Sequence, residues 1–306
     1  MAGEAWHTFC MQQWIRPTRE EFNRLCLEVT DRMREHTFPF VASISKEIEP
    51  DFGKHLGSGL YLAMGDDTYL LTNEHVARSI NEKPLAHQLL NGDHATRISN
   101  PFQVVTQPYD IAVTRIERNL WSQPRNIRRA LPAHRLAAKH DPVDMELLFL
   151  LGYSGERSYF SATFETLFTR GTPLLTQEAK DPPEGLSEMY FALPYRPDLS
   201  TSMDSRSAGL PRAEGFSGSP VWDTGFLRCM HENRRWTPEE SRITGILPFW
   251  NKKTAHLVAI RIEHVREFLL YAHRNEAAYF RWIERGRPSN DALSDWLHAE
   301  NSIPSI

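Results

Sequence analysis

Residues 215–220 read Gly215-Phe216-Ser217-Gly218-Ser219-Pro220, at the end of a polar loop and just ahead of an apolar run. A serine set between glycines in that position can stand on a tight turn, because glycine reaches backbone conformations closed to other residues. On such a turn the hydroxyl is exposed and neighbouring amides point inward. The N–H groups of Gly215 and Ser217 are therefore the candidate donors of an oxyanion hole, and Gly218 is expected to permit the close approach of a substrate backbone. A Gly-Ser turn leading into a strand would account for these six residues by itself, so the reading depends on what lies upstream.

Two upstream stretches matter. Residues 69–77, YLLTNEHVA, run from an apolar strand into a short helix and place His75 just past the strand end, a rigid seat for a base. Residues 109–113, YDIAV, set Asp110 immediately before a strand that reads as buried. A carboxylate next to such a run is costly unless it is paired or hydrogen-bonded. Glu74 is a weaker candidate for the acid, because side chains of adjacent helical residues point about 100° apart.

Working outward, residues 39–45, 58–64, 68–72, 110–116, 146–152, 159–168, 188–194, 242–249 and 256–262 are short runs with β-branched and aromatic residues, separated by Gly, Pro, Asn and Asp. No long helices alternate with them, which favours two small barrels or a sandwich over a parallel α/β sheet. Polar stretches at 171–187 and 196–214 read as surface loops. Both ends read as helical. Thr18 and Glu21 have capping-box spacing ahead of Phe22, Leu25, Cys26, Val29 and Met33. After Ile262, the residues Val265, Phe268, Leu269 and Ala272 line one helix, and Tyr279, Phe280 and Ile283 a second. Ser289 or Asn290 is placed to cap a last short helix through Leu297.

Composition narrows the class. With 35 basic and 39 acidic residues, a formal net charge of −4 and 41% hydrophobic residues, the chain reads as globular and carries no global field for nucleic acid or an anionic membrane. The short basic run at 125–129 reads as a solvated face. Cys10, Cys26 and Cys229 are too few and scattered for a disulfide framework or zinc set. His55, His75, His87 and His94 lack the H-x-x-x-H spacing of a helical metal site. No metal or cofactor is expected. The N-terminus has no basic start followed by an apolar run, so a cytoplasmic, non-membrane location is expected.

LLTNEHVA, YDIAV and GFSGSPV, in that order, resemble the three catalytic blocks of trypsin-like serine peptidases, most closely the bacterial HtrA-like branch. The segments ELLFLLGYSGE, ITGILPF and LVAIRIEHVREFL resemble further strands and the C-terminal helix of that branch, so the resemblance spans about residues 38–272. It implies a mainly β fold of two six-stranded-type antiparallel β-barrels with helical extensions: an N-terminal extension 1–36, a peptidase domain 37–262 and a C-terminal extension 263–306. It also implies a His75, Asp110 and Ser217 triad cleaving polypeptides through an acyl-enzyme, with Pro211, Leu247, Pro248 and Phe249 around the specificity pocket.

The departures are informative. Phe216 stands where digestive relatives have an aspartate that pairs with a freshly cut N-terminus, so activation by that ion pair is not expected. Pro211 replaces the acid that selects Arg or Lys. Leu247-Pro248-Phe249 stands where open-pocket relatives carry glycine, and no PDZ-like domain follows. The expectation is an enzyme latent until an activating or inhibitory protein partner, a bound peptide or a cleavage reorders residues 196–216. Roles in stress response or antiviral defence are compatible with such gating. The alternative is a catalytically silent module of the same fold that binds without cleaving.

Overall fold

The structure, a computed structural model, describes residues 18–49, 52–89, 95–123, 126–161, 166–198, 209–288 and 291–303. Its first helix, α1 (Arg19–Thr37), begins with the capping box that the sequence announces. The Glu21 amide donates to the Thr18 hydroxyl at 3.2 Å, and the Glu21 carboxylate accepts from the Thr18 amide at 2.8 Å. Val29 and Met33 turn inward from it.

Two sheets follow. The first comprises β1 (Val41–Glu49), β2 (Phe52–Met64), β3 (Asp67–Thr72), β4 (Leu85–Gln88), β5 (Ala95–Arg97), β6 (Gln103–Val105), β7 (Ile111–Ile116) and β8 (Leu131–Pro132). Its order is β5-β4-β1-β2-β3-β7-β6, antiparallel throughout, with β8 added in parallel to β2. The second comprises β9 (Leu148–Ser161), β10 (Thr166–Thr176), β11 (Tyr190–Pro194), β12 (Pro220–Asp223), β13 (Arg242–Asn251) and β14 (His256–Arg261), ordered β10-β9-β12-β13-β14-β11 and all antiparallel. The mainly β, two-sheet architecture with helical ends is thus the one expected. The first sheet has eight strands instead of six because four short ones, β4, β5, β6 and β8, whose two to four residues carry no periodic signal, pair onto the four strands read from the sequence.

Other boundaries shift for visible reasons. The expected strand at 159–168 is split between β9 and β10, and β10 reaches into the stretch 171–176 that reads as a loop. Pairing with β9, from Gly171 opposite Tyr153 to Thr176 opposite Leu148, satisfies that polar segment's backbone and overrides its composition. The two helices expected between Val265 and Ile283 are one continuous helix. After the short α2 (Glu74–Ala77), α3 (Arg118–Trp121) and α4 (Phe226–His231) comes α5 (Ile262–Glu284), which has no Gly or Pro and buries Ile262, Val265, Leu269, Ala272 and Ala278 along one side. The last helix is α6 (Ala292–Ser302), entered at Asp291; the expected caps Ser289 and Asn290 lie outside the described residues.

One apolar cluster joins these parts. It takes Leu60, Leu71 and Val113 from the first sheet, Phe149, Trp222 and Ile246 from the second, Val29 and Met33 from α1, and Val265 and Leu269 from α5. Both terminal helices therefore help seal the seam between the sheets. Polar contacts also tie α5 to the first sheet. The Tyr69 hydroxyl donates to Glu276 at 2.6 Å and lies 3.0 Å from His273 Nδ1, while Arg115 approaches Glu276 at 3.3 Å.

Buried histidines make stability depend on pH. His87 lies inside the first sheet with Nδ1 2.8 Å from the Tyr61 hydroxyl. Burial, and next the Arg128 cation, pull it down from 6.5 to about 4. Burial also holds His36, His55 and His273 below their ordinary range. As pH falls from about 6.5 to about 4, the unfolded chain takes up protons that folded His87 refuses, so its contribution is complete above 6.5 and is lost on acidification. Urea midpoints measured across that window should fall with pH, and His87→Gln should make the slope shallower.

Candidate active site

The end of β3 delivers Thr72 and Asn73 to the start of α2, so His75 sits on the first turn of a helix anchored at a strand end. Asp110 lies just before β7, which pairs with β3 from Thr72 opposite Ala112 to Thr68 opposite Ile116. That ladder brings the two residues together. His75 Nδ1 is 2.8 Å from Asp110 Oδ2, and the His75 amide donates to Asp110 Oδ1 at 3.0 Å. With Oδ2 as acceptor, Nδ1 carries the proton and Nε2 is left with its lone pair. Glu74 faces elsewhere, 3.8 Å from Arg78.

Asp110 pays a backbone cost for this position: its φ is 51°, in the left-handed region that costs a non-glycine residue about 1 kcal/mol or more. Its amide donates to the Thr106 carbonyl at 3.0 Å, and its own carbonyl accepts from Asn73 Nδ2 at 2.8 Å. Asn73, fully buried, is a support of the candidate site that sequence reading passed over, although it stands two residues before His75. Tyr190 lies close by. Burial, with the Asp110 carboxylate second, raises its phenol above the ordinary range.

Ser217 is carried on a loop whose peptides are bonded one after another. Each carbonyl preceding a candidate oxyanion donor is turned aside: Glu214 O accepts from the Gly155 amide at 2.9 Å, and Phe216 O from the Ser219 amide at 2.9 Å. In a trans peptide the N–H points opposite to its C=O, so the amides of Gly215 and Ser217 face away from those bonds. Neither donates to another group among the described residues. Gly215 and Gly218 have φ of 98° and 88°, as the glycine argument requires.

Two contacts seat this loop against the first sheet. The Ser58 amide donates to the Ser217 carbonyl at 2.7 Å. A Cβ on Gly57 would lie 2.8 Å from the Val76 side chain and 3.3 Å from the Ser217 carbonyl oxygen, so the neighbour of His75 and the backbone of Ser217 meet over Gly57. The Ser217 hydroxyl itself donates to the Pro248 carbonyl at 3.0 Å.

Of the four residues expected around a specificity pocket, Pro211, Leu247 and Pro248 are buried, and Phe249 is 45% exposed. Leu247 packs with Ala213, Phe216 and Tyr195, and the Pro211 carbonyl accepts from the Tyr195 hydroxyl at 2.6 Å. Phe216 therefore puts an apolar side chain into the core of the second sheet at the position next to Ser217. Residues 199–208 of the approach loop, including Asp204, lie outside the described residues. Glu214 is bonded to Lys252. Burial raises its carboxyl, but the Lys252 bond, a backbone hydrogen bond and the Lys252 and Arg212 cations together hold it below its ordinary range. Among the described residues no helix is long and apolar enough to cross a membrane, and no group of three or more His, Cys, Asp or Glu is arranged for a metal ion.

Comparison with known proteins adds context. A family model described as "Protein of unknown function (DUF2934)" matches residues 275–304, the end of α5 and the whole of α6. No curated protein matches the chain. Three solved structures are similar to it at 13% identity. One is Rv3671c from M. tuberculosis H37Rv, a serine-to-alanine mutant in an inactive form, with a TM-score of 0.43, covering 78% of this chain and 88% of that one. Another is catalytically active tobacco etch virus protease complexed with product, TM-score 0.39, covering 73% of each chain. The third, TM-score 0.39, covers 74% of this chain and 89% of its own and concerns aromatic interactions that drive the coupled folding and binding of the intrinsically disordered Sesbania mosaic virus VPg protein. At such distances the chemistry must rest on the geometry of this chain.

Gly218 offers a direct check of that geometry. A Cβ there would stand 2.0 Å from the Ser58 carbonyl oxygen and 2.5 Å from Thr72 Oγ1, whereas one on Gly185, whose φ is 75°, would meet nothing within 4 Å. Gly218→Ala should therefore cost about 3 kcal/mol or more, overpacking added to strain, and Gly185→Ala only about 1 kcal/mol. Chemical denaturation of the two variants measures the difference.

Proposed function

We propose that this protein is a serine endopeptidase in which Ser217 is the nucleophile, His75 the general base and Asp110 the residue that orients it. The observation carrying the reading is the double hydrogen bond from His75 to Asp110, through Nδ1 at 2.8 Å and the amide at 3.0 Å, which leaves Nε2 as the free base. Ser217 Oγ attacks the scissile carbonyl carbon as its proton passes to His75 Nε2. The Gly215 and Ser217 amides hold the oxygen that becomes negative. The C–N bond then breaks with the proton returned to the leaving amine, and water hydrolyses the acyl-enzyme by the same route. Asp110 stays ionised and stabilises the imidazolium.

The substrate is a polypeptide with a small or aliphatic residue before the cut. This follows from the absence of an acid at Pro211 and from the apolar packing of Leu247. The enzyme rests with its nucleophile engaged, because the Ser217 hydroxyl is bonded to Pro248 and must rotate to reach His75. A protein partner or bound peptide that frees the Pro248 carbonyl is the proposed trigger. The same bond also fits a silent binding module of this fold, which would never make that rotation.

Labelling by a fluorophosphonate probe distinguishes the readings. With unfolded polypeptide or an activating partner supplied, wild type should label, Ser217→Ala should not, and Asp110→Asn should label about 10⁴-fold more slowly, the loss seen when a triad aspartate becomes an amide. Wild type that never labels, even while unfolded polypeptides and candidate partners are supplied, would favour the binding module.

A further inference from the structure

We propose that His55 and Ser58 form a built-in clamp that fixes the oxyanion donor Gly215, so that this half of the site needs no processed N-terminus. The catalytic part of the proposal rests on the peptidase reading; the clamp itself is a property of the fold. His55 is 7% exposed and belongs to β2, yet its Nε2 reaches the Tyr153 carbonyl at 2.9 Å and the Gly215 carbonyl at 3.3 Å. Both partners only accept, so Nε2 must carry a proton and donate to them. Nδ1, 3.1 Å from the Ser43 hydroxyl, is then the acceptor of the neutral ring. Ser58, also on β2 and fully buried, donates its hydroxyl to the same Gly215 carbonyl at 2.9 Å and accepts the Tyr153 amide at 3.0 Å.

The Gly215 carbonyl thus takes two donors from one strand, and the Phe216 amide on the other side of the same peptide donates to the Ala213 carbonyl at 2.9 Å. The peptide before Gly215 is held through Glu214 O and the Gly155 amide. With the planes on both sides of Gly215 fixed, its N–H has one direction available. The imidazole also excludes a side chain there, since a Cβ on Gly215 would stand 2.5 Å from His55 Nε2. Phe216, buried in the second sheet's own cluster, carries no charge that a new N-terminal amine could pair with. His55 and Ser58 act through Gly215 and are positioning residues.

The test compares wild type, His55→Leu and His55→Gln by fluorophosphonate labelling and by amide hydrogen exchange over residues 213–219. His55→Leu removes the donor and should slow labelling about 10²-fold, the lower range for losing an oxyanion donor. It should also speed exchange in 213–219 while leaving the pH midpoint of labelling unchanged, because the His75 and Asp110 pair is untouched. His55→Gln presents an N–H where Nε2 stood and should restore labelling to within about tenfold and exchange to near wild type. If His55→Leu does not fold, Ser58→Ala, which removes one hydroxyl and adds no bulk, should give the same two effects. Exchange and labelling at wild-type rates in His55→Leu, or in Ser58→Ala in its place, would overturn the clamp. A wild type that does not label even with unfolded polypeptides and candidate partners supplied defeats the peptidase reading instead, and the exchange data still decide whether the clamp exists.

Discussion

The site depends on one short piece of β2 lying against the serine loop. Ser58 donates its amide to the Ser217 carbonyl and its hydroxyl to the Gly215 carbonyl, and its own carbonyl accepts from the Thr72 hydroxyl at 2.7 Å. The flanking residues Gly57 and Gly59 have no side chains to hold the neighbouring backbone off: a Cβ on Gly59 would meet the Leu71 carbonyl oxygen at 2.8 Å. Because β2 also pairs with β3, the strand that leads to His75, one segment touches the parts of the fold that carry His75 and Ser217. Bringing Thr72, Ser58 and Ser217 into register is thus a single constraint with consequences on both sides of the reaction centre.

Such a site tolerates little local freedom, and its strain is held by packing. Asp110 and the glycines at 215 and 218 occupy positive φ, and each is fixed by bonds from residues that are themselves buried: Asn73 and Ser58 have no exposure. Groups held in this way need no rearrangement when charge develops, which is why preorganised donors outperform water. The contrast is Ser217, whose hydroxyl bond to the Pro248 carbonyl is held by a single side-chain torsion. Rigidity in the frame and freedom in one torsion are compatible because they reside in different bonds.

The terminal helices belong to this frame. Val29 and Met33 of α1 and Val265 and Leu269 of α5 enter the cluster that both sheets share, and Gln103 of β6 donates to the Ala272 carbonyl at 3.0 Å. At the far end, Arg281 and Arg285 converge on buried Asp295, at 3.1 and 2.8 Å, and staple α6 to α5 within the stretch matched by the DUF2934 model. Two cations on a carboxylate with almost no exposure offset the cost of burying it.

Local chemistry was legible in the sequence: the capping box at Thr18, the strand runs, the need for glycine at 215 and 218, and the placing of His75, Asp110 and Ser217 at element boundaries all follow from residue type and spacing. The partnership of His75 with Asp110 was an expectation that acquired distances only through the pairing of β3 with β7. His55, Ser58, Asn73 and Gly155 were not legible as supports. Their partners lie across the fold, as with Ser58 and Gly215, 157 residues apart, and the only trace along the chain is the small-residue run Gly57-Ser58-Gly59, a mark of close backbone approach. Short strands and the exact run of β10 were likewise decided by pairing, because a backbone needs partners whatever its side chains prefer. Sequence determined which residues stand at the candidate site and which turns they require; tertiary structure decided what holds them, since hydrogen bonds between distant peptides leave no periodicity along the chain.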